Sequence, residues 1–334
     1  MKSLGLGRYA LSIGAAAAML AGCGGSQPPT SAAGAMPQSR AIAARAQHGG
    51  SWMLPEAKSE DLHALYKMSR PLLFVTNYNA DANNVTIYHA DAKSPSPLAI
   101  ITDGIGSPEG DCIDAAGTLY VANEDGSGWV SEYASGHTKR SKLITDGINI
   151  PAFCAIDSSG NLWVANLGGA NATEYEKGST KPHTVITNGL TAPVGIAIDH
   201  SGNLYVSNRL STYSGNVQVY SPGSQSPTRT ITDGVTSPAG LSVDANGTLF
   251  VTNVQENTIE EYLAGTSDPY QAITEGLNVP SDVTITEKGH LFVNNYSNNV
   301  VVEYPPGSIK PSGREISKDL NKPAGSAYFP PLLP

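Results

Sequence analysis

Six side chains could build a polar pocket if the fold brings them together: Glu109, Asp111, Glu124, Asp125, Arg209 and Asp282. Left apart, they are ordinary solvated charge. Nucleophilic chemistry has little to work with. There is no G-x-S-x-G elbow, and His89, His137, His183, His200 and His290 have no obvious acidic partner. No catalytic residue is assigned on this basis. The run from Asn77 to Asn83 alternates oxygen-bearing side chains, but it holds a single carboxylate, Asp81. Calcium takes about six to eight oxygen ligands, so the run reads as an Asn-rich turn and no metal site is assigned. The three cysteines are Cys23, Cys112 and Cys154.

Cys23 has a context of its own. Lys2 and Arg8 precede a short apolar run from Tyr9 to Leu20, which ends in Leu20-Ala21-Gly22-Cys23. About 20 apolar residues are needed to cross a bilayer, so the run is too short for a stable span. The four residues resemble a bacterial lipobox. That implies a signal peptide over residues 1–22 and acyl chains, palmitate among them, on a mature N-terminal Cys23. The protein would then be exported and lipid-anchored to the cell envelope. An ordinary signal peptide with a chance cysteine is the alternative. Residues 23–50 are rich in Gly, Ser, Ala, Pro and Gln and read as a disordered tether. Residues 51–70 read as a short helical lead-in, with Ser59 as its cap and Leu62, Leu65 and Tyr66 behind it.

The remainder, residues 71–330, is organised by a repeat. A Val-x-Asn element places Asn77, Asn123, Asn166, Asn208, Asn253 and Asn295 at intervals of about 42–46 residues. A proline recurs with similar spacing at Pro108, Pro151, Pro193, Pro238, Pro280 and Pro323. One unit can be read throughout. Pro193–Ile198 alternates as an inner strand, and Asp199 to Asn203 forms a turn in which Gly202 takes positive φ. Leu204–Ser207 is a second strand, residues 208–215 a loop, Val217–Tyr220 a third strand and Thr228–Thr232 a fourth. Four short strands per period of this length is propeller spacing. The chain also starts with a second strand, Leu72–Thr76, and ends with an inner strand, Pro323–Tyr328. Pairing the two completes one blade and leaves no open edge. The fold class is therefore all-β, a six-bladed β-propeller closed by a C-terminal inner strand on the N-terminal blade.

The unit Pro193-Val194-Gly195-Ile196-Ala197-Ile198-Asp199-His200-Ser201-Gly202-Asn203-Leu204-Tyr205-Val206-Ser207-Asn208 resembles the NHL repeat, with Asn where that repeat usually has Asp. The resemblance covers residues 71–329 and implies a fold rather than an activity. More distantly the array is similar to the gluconolactonase and senescence-marker group. That group holds a divalent metal at the channel mouth through Glu, Asn and Asp near the starts of inner strands. Here the residues after the prolines are Glu109, Ala152, Val194, Ala239, Ser281 and Ala324, so only Glu109 could be carried over.

These features set the expectations. The six candidate residues fall near one rim, where propeller loops usually bind ligands; Asp282 replaces the usual Gly. The repeated asparagines cap loops. Along the inner strands, third and fifth positions after the proline are mostly large, and second and fourth mostly small. If small faces look toward the following blade, Cys112 and Cys154 point into one interface and a disulfide is open to them. Otherwise they are buried free thiols. The net charge of −9 and the lack of a basic cluster argue against nucleic acid. The chain reads as a monomeric binding or protein-interaction scaffold without a cofactor, whose protein or small-molecule ligand is unknown. A metal-dependent, lactonase-like hydrolase or lyase is the second reading.

Overall fold

A computed structural model describes residues 70–78, 83–332 and 334. The expected signal peptide, Cys23, the expected tether, nearly all of the expected helical lead-in and the centre of the Asn77–Asn83 run lie outside the described residues. Those that are described form six four-stranded antiparallel sheets and no helix. Blade 1 holds β1 (Leu72–Asn77), β2 (Asn84–His89) and β3 (Ala99–Ile101). Blade 2 runs through β4 (Pro108–Ile113), β5 (Leu119–Asn123), β6 (Trp129–Tyr133) and β7 (Lys142–Ile144). Blade 3 has β8 (Pro151–Ile156), β9 (Leu162–Asn166), β10 (Asn171–Tyr175) and β11 (Thr184–Ile186). In blade 4 these are β12 (Pro193–Ile198), β13 (Leu204–Ser211), β14 (Ser214–Tyr220) and β15 (Arg229–Ile231). Blade 5 has β16 (Pro238–Val243), β17 (Leu249–Asn253), β18 (Thr258–Tyr262) and β19 (Gln271–Ile273). Blade 6 has β20 (Pro280–Ile285), β21 (Leu291–Asn295), β22 (Val300–Tyr304) and β23 (Glu315–Ile316). The last strand, β24 (Pro323–Phe329), returns to blade 1 and pairs with β1, from Leu72 opposite Phe329 to Asn77 opposite Pro323. The ring closes as the repeat predicts.

Three recurring bonds make the blades alike. In four of them an aspartate after the inner strand turns the chain. Asp199 Oδ1, for example, accepts the N–H groups of Ser201 and Asn203, and Gly202 takes φ 78°. A tyrosine at or next to the end of each third strand donates its hydroxyl to a turn carbonyl: Tyr88, Tyr133, Tyr175, Tyr220, Tyr262 and Tyr304, at 2.6–2.7 Å. Each repeated asparagine accepts, through Oδ1, the N–H two residues before the inner-strand proline. The pairs are Asn77 with Asn321, Asn123 with Gly106, Asn166 with Asn149, Asn208 with Thr191, Asn253 with Thr236 and Asn295 with Asn278. The asparagines are loop caps, in keeping with their recurrence.

Blade 4 departs from the sequence reading. Residues 208–215, expected as a loop, instead extend the hairpin, with Arg209 opposite Gly215 and Ser211 opposite Ser214. The extension leaves Leu210 and Tyr213 at its exposed tip.

Packing between blades follows the size alternation. A Cβ on Gly195 of β12 would lie 2.3 Å from the carbonyl oxygen of Ala239 in the next blade. On Gly110 of β4 it would strike Phe153 of blade 3, and on Gly240 of β16 it would strike Asp282 of blade 6. Small faces therefore look toward the following blade. Cys112 and Cys154 meet in the interface between blades 2 and 3 as a disulfide, with Cα atoms 5.7 Å apart.

Candidate functional site

The mouth is built by the residue after each cap. Its N–H donates to the carbonyl just before the inner-strand proline: Tyr78 to Lys322, Glu124 to Ser107, Leu167 to Ile150, Arg209 to Ala192, Val254 to Ser237 and Tyr296 to Val279. These bonds fix six side chains at one end of the channel. Leu167 and Val254 join the apolar cluster of blades 3–5. The other four form a polar arc.

Glu109, one residue into β4, lies beneath the arc and is 4% exposed. It shares a hydrogen bond with Glu124, and Tyr78 donates its hydroxyl to Glu124 Oε1 at 2.6 Å. Burial, then the charge of Glu124, pushes the Glu109 carboxyl well above the usual range, against the pull of Arg209. Glu124 is also raised by burial, but the bonds from Tyr78 and Glu109 favour its charged form. The two carboxyls therefore titrate together, both raised and Glu109 the more strongly. Arg209 donates from Nη2 to the Pro238 carbonyl at 3.2 Å, and burial lowers its pKa while Glu109 raises it. Its Nε and the hydroxyl of Tyr296 are buried with no hydrogen-bond partner among the described residues. Tyr78 and Tyr296 sit with ring centroids 6.4 Å apart, and Lys322 Nζ lies 5.6 Å from the Tyr296 ring centre.

Asp111 and Asp282 lie elsewhere. They are on β4 and β20, 5% exposed, and line a cavity in the channel below the mouth. Asp282 Oδ2 accepts the Ser326 N–H at 2.9 Å, and its side chain occupies the room that Gly240 leaves. Burial pushes its pKa up to about 7. Neither oxygen of Asp111 has a hydrogen-bond partner of good geometry among the described residues, although its own N–H leans toward the carboxylate. Burial, then the charge of Asp282, holds Asp111 well above the usual range. Asp125 is exposed in the turn after β5 and joins neither group.

Of the six candidates, Glu109, Glu124 and Arg209 are brought together at the mouth, and Asp111 and Asp282 in the channel. Sequence reasoning missed Tyr78 and Tyr296. The signal for them is positional: both follow a repeated asparagine, as Glu124 and Arg209 do.

No protein-family model matches the chain, and no curated protein matches it either. Solved structures do. A structure of a nidogen–laminin complex superposes with TM-score 0.66 at 17% identity, covering 78% of this chain and 98% of that one. A Bacteroides caccae protein of unknown function gives TM-score 0.62 at 14% identity, over 78% and 99%. Hydrazine synthase from Kuenenia stuttgartiensis gives 0.52 at 14%, over 66% and 70%. At such identities the likeness establishes the propeller fold alone.

Proposed function

We propose that the protein is a lipid-anchored propeller displayed on the cell envelope, working as a binding or protein-interaction scaffold through its polar mouth. One observation carries the reading. Blades 1, 2, 4 and 6 converge Tyr78, Glu109, Glu124, Arg209 and Tyr296 on one opening, and two buried donors there lack partners among the described residues. Such donors are costly until something accepts from them. A ligand offering acceptors to Arg209 Nε and the Tyr296 hydroxyl would repay that cost. The nidogen–laminin neighbour belongs to a protein complex, which suits an interaction role.

Geometry gives little support to the hydrolase reading. Apart from Glu109, the residues that would have to hold a divalent metal are Ala152, Val194, Ala239, Ser281 and Ala324, and the positive charge beside Glu109 is already Arg209. This donor set does not fit a hard cation. Calcium or zinc should accordingly leave the melting temperature of the protein unchanged, since only ligands of the native state raise it. A metal-dependent rise abolished by Glu109→Ala would restore the hydrolase. For binding, a photo-crosslinking residue at Tyr213, on the exposed hairpin tip, should give discrete envelope adducts that disappear with Arg209→Ala. Adducts indifferent to that change would refute a role for the mouth. Cys23→Ser should release the protein from membranes or leave it uncleaved.

A further inference from the structure

The far end of the channel is chemically unlike the mouth. The fifth residue after each inner-strand proline faces it, so that Ile113, Ile156, Ile198, Val243, Ile285 and Tyr328 form a mostly aliphatic collar with one member per blade. Deeper in the same cavity stand Asp111 and Asp282. The cavity measures about 150 Å³, and a void of about that size accommodates a benzene-sized molecule.

Asp111 is the anomaly in this pocket. It is 95% buried, two oxygens of it lack partners among the described residues, and it faces the cavity beside a second carboxyl. The serine and threonine hydroxyls nearby are already used as donors: Ser242 to the Val283 carbonyl at 2.6 Å, Thr284 to the Ser326 carbonyl at 2.5 Å, and Ser326 to Asn294 Oδ1 at 3.0 Å. What the pocket offers is therefore acceptors at depth and hydrocarbon around them. A divalent metal would want about six to eight oxygens and gains nothing from the collar. An ammonium group presents three donors and no acceptor, and an apolar stem behind it would fill the collar.

We propose that this end of the channel is a second binding site, for a small organic ammonium on an apolar stem, with Asp111 and Asp282 receiving the head and the aliphatic collar the stem. Burial alone disfavours charge on both carboxyls, and a cation at the same depth would favour it. This site uses none of the mouth residues, so it stands or falls separately from the mouth.

Isothermal titration calorimetry of the full chain with benzylammonium tests it, with benzyl alcohol and calcium chloride as comparators. Saturable one-to-one binding of benzylammonium is expected, and benzyl alcohol should bind at least about tenfold more weakly. Asp111→Asn should weaken the amine by at least about tenfold without lowering the melting temperature. Ile198→Lys, at a half-buried position of the collar, should abolish binding by placing a tethered cation there. The proposal is overturned if benzylammonium gives no heat of binding, if the alcohol binds as well as the amine, or if Asp111→Asn leaves affinity unchanged. Asp111-dependent calcium binding in place of amine binding would make this a metal site and overturn it too.

Discussion

At the scale of single residues, burial of acids sets how stability responds to pH. Asp282 has a folded-state pKa of about 7, above its ordinary value of 3.8. Between about pH 4 and 7 the native protein thus holds a proton that the unfolded chain has released. Native proton uptake exceeds that of the unfolded state, so stability falls as pH rises through this window, by roughly 4 kcal/mol from this group. Asp111 and Glu109, also raised, act in the same direction. Thermal melts should show a higher melting temperature near pH 4.5 than near pH 7.5, and Asp282→Asn should flatten the slope. A melting temperature that rises over this range would contradict the assignment. The loop caps give a second expectation. Asn208 Oδ1 accepts from both Thr191 and Ala192. Asn208→Ala leaves those donors unpaired and should cost about 2–3 kcal/mol in chemical denaturation, whereas Tyr220→Phe, which removes one bond to the Asn188 carbonyl, should cost about 1 kcal/mol.

At the scale of elements, contacts between neighbouring blades are tight where one residue is glycine. Gly195→Ala would place a methyl group 2.3 Å from the Ala239 oxygen and force two inner strands apart. Destabilisation of about 1–3 kcal/mol is expected on melting, with Ser207 losing its bond to the same oxygen. In the interface between blades 2 and 3, Cys112 and Cys154 should be refractory to alkylation in the unreduced protein, and mass spectrometry that finds adducts on both would refute the disulfide. Much of this level was legible beforehand. The turn residues around Asp199 and Gly202 dictate a backbone conformation that recurs in blades 2 to 5, and Pro and Asn mark the same two points of each unit. The functional site was less legible because it breaks the repeat. Glu109 and Asp282 stand out as charged exceptions at positions otherwise uncharged, but Tyr78 and Tyr296 have the look of ordinary strand-end aromatics until the cap geometry aims them. Whether Asp111 and Asp282 would share a cavity depended on where the inner strands bulge. Pro108–Asp111 and Pro280–Asp282 shift register differently, and composition alone carries no sign of that.

At the scale of the whole molecule, closure is the decisive feature. Removing residues 323–334 deletes β24, strips β1 of its inner partner and takes away the Gly325 and Pro323 groups that Thr76 and Ser281 bond. Several ladder bonds and a buried strand are lost at once, against a typical net stability of about 5–15 kcal/mol. The truncated chain should be insoluble or unfolded by circular dichroism. A soluble product with the parent melting temperature would show that the ring does not depend on its last strand.

That same splice determines the order of events during synthesis. Leu72 belongs to the first strand of the ring to be made, and its partner Phe329 to the last. Blade 1 must therefore wait with one edge bare while five others assemble, and the pairing it awaits is among the most distant in sequence that the molecule makes, which slows folding. In that interval a second copy can offer its own last strand. Domain-swapped dimers, each ring sealed by the other's terminus, are the natural by-product of refolding at high concentration. Conversely, a chain permuted to begin at Pro108, with the old ends joined by a linker, would carry all its blades as continuous sequence and leave no strand to exchange.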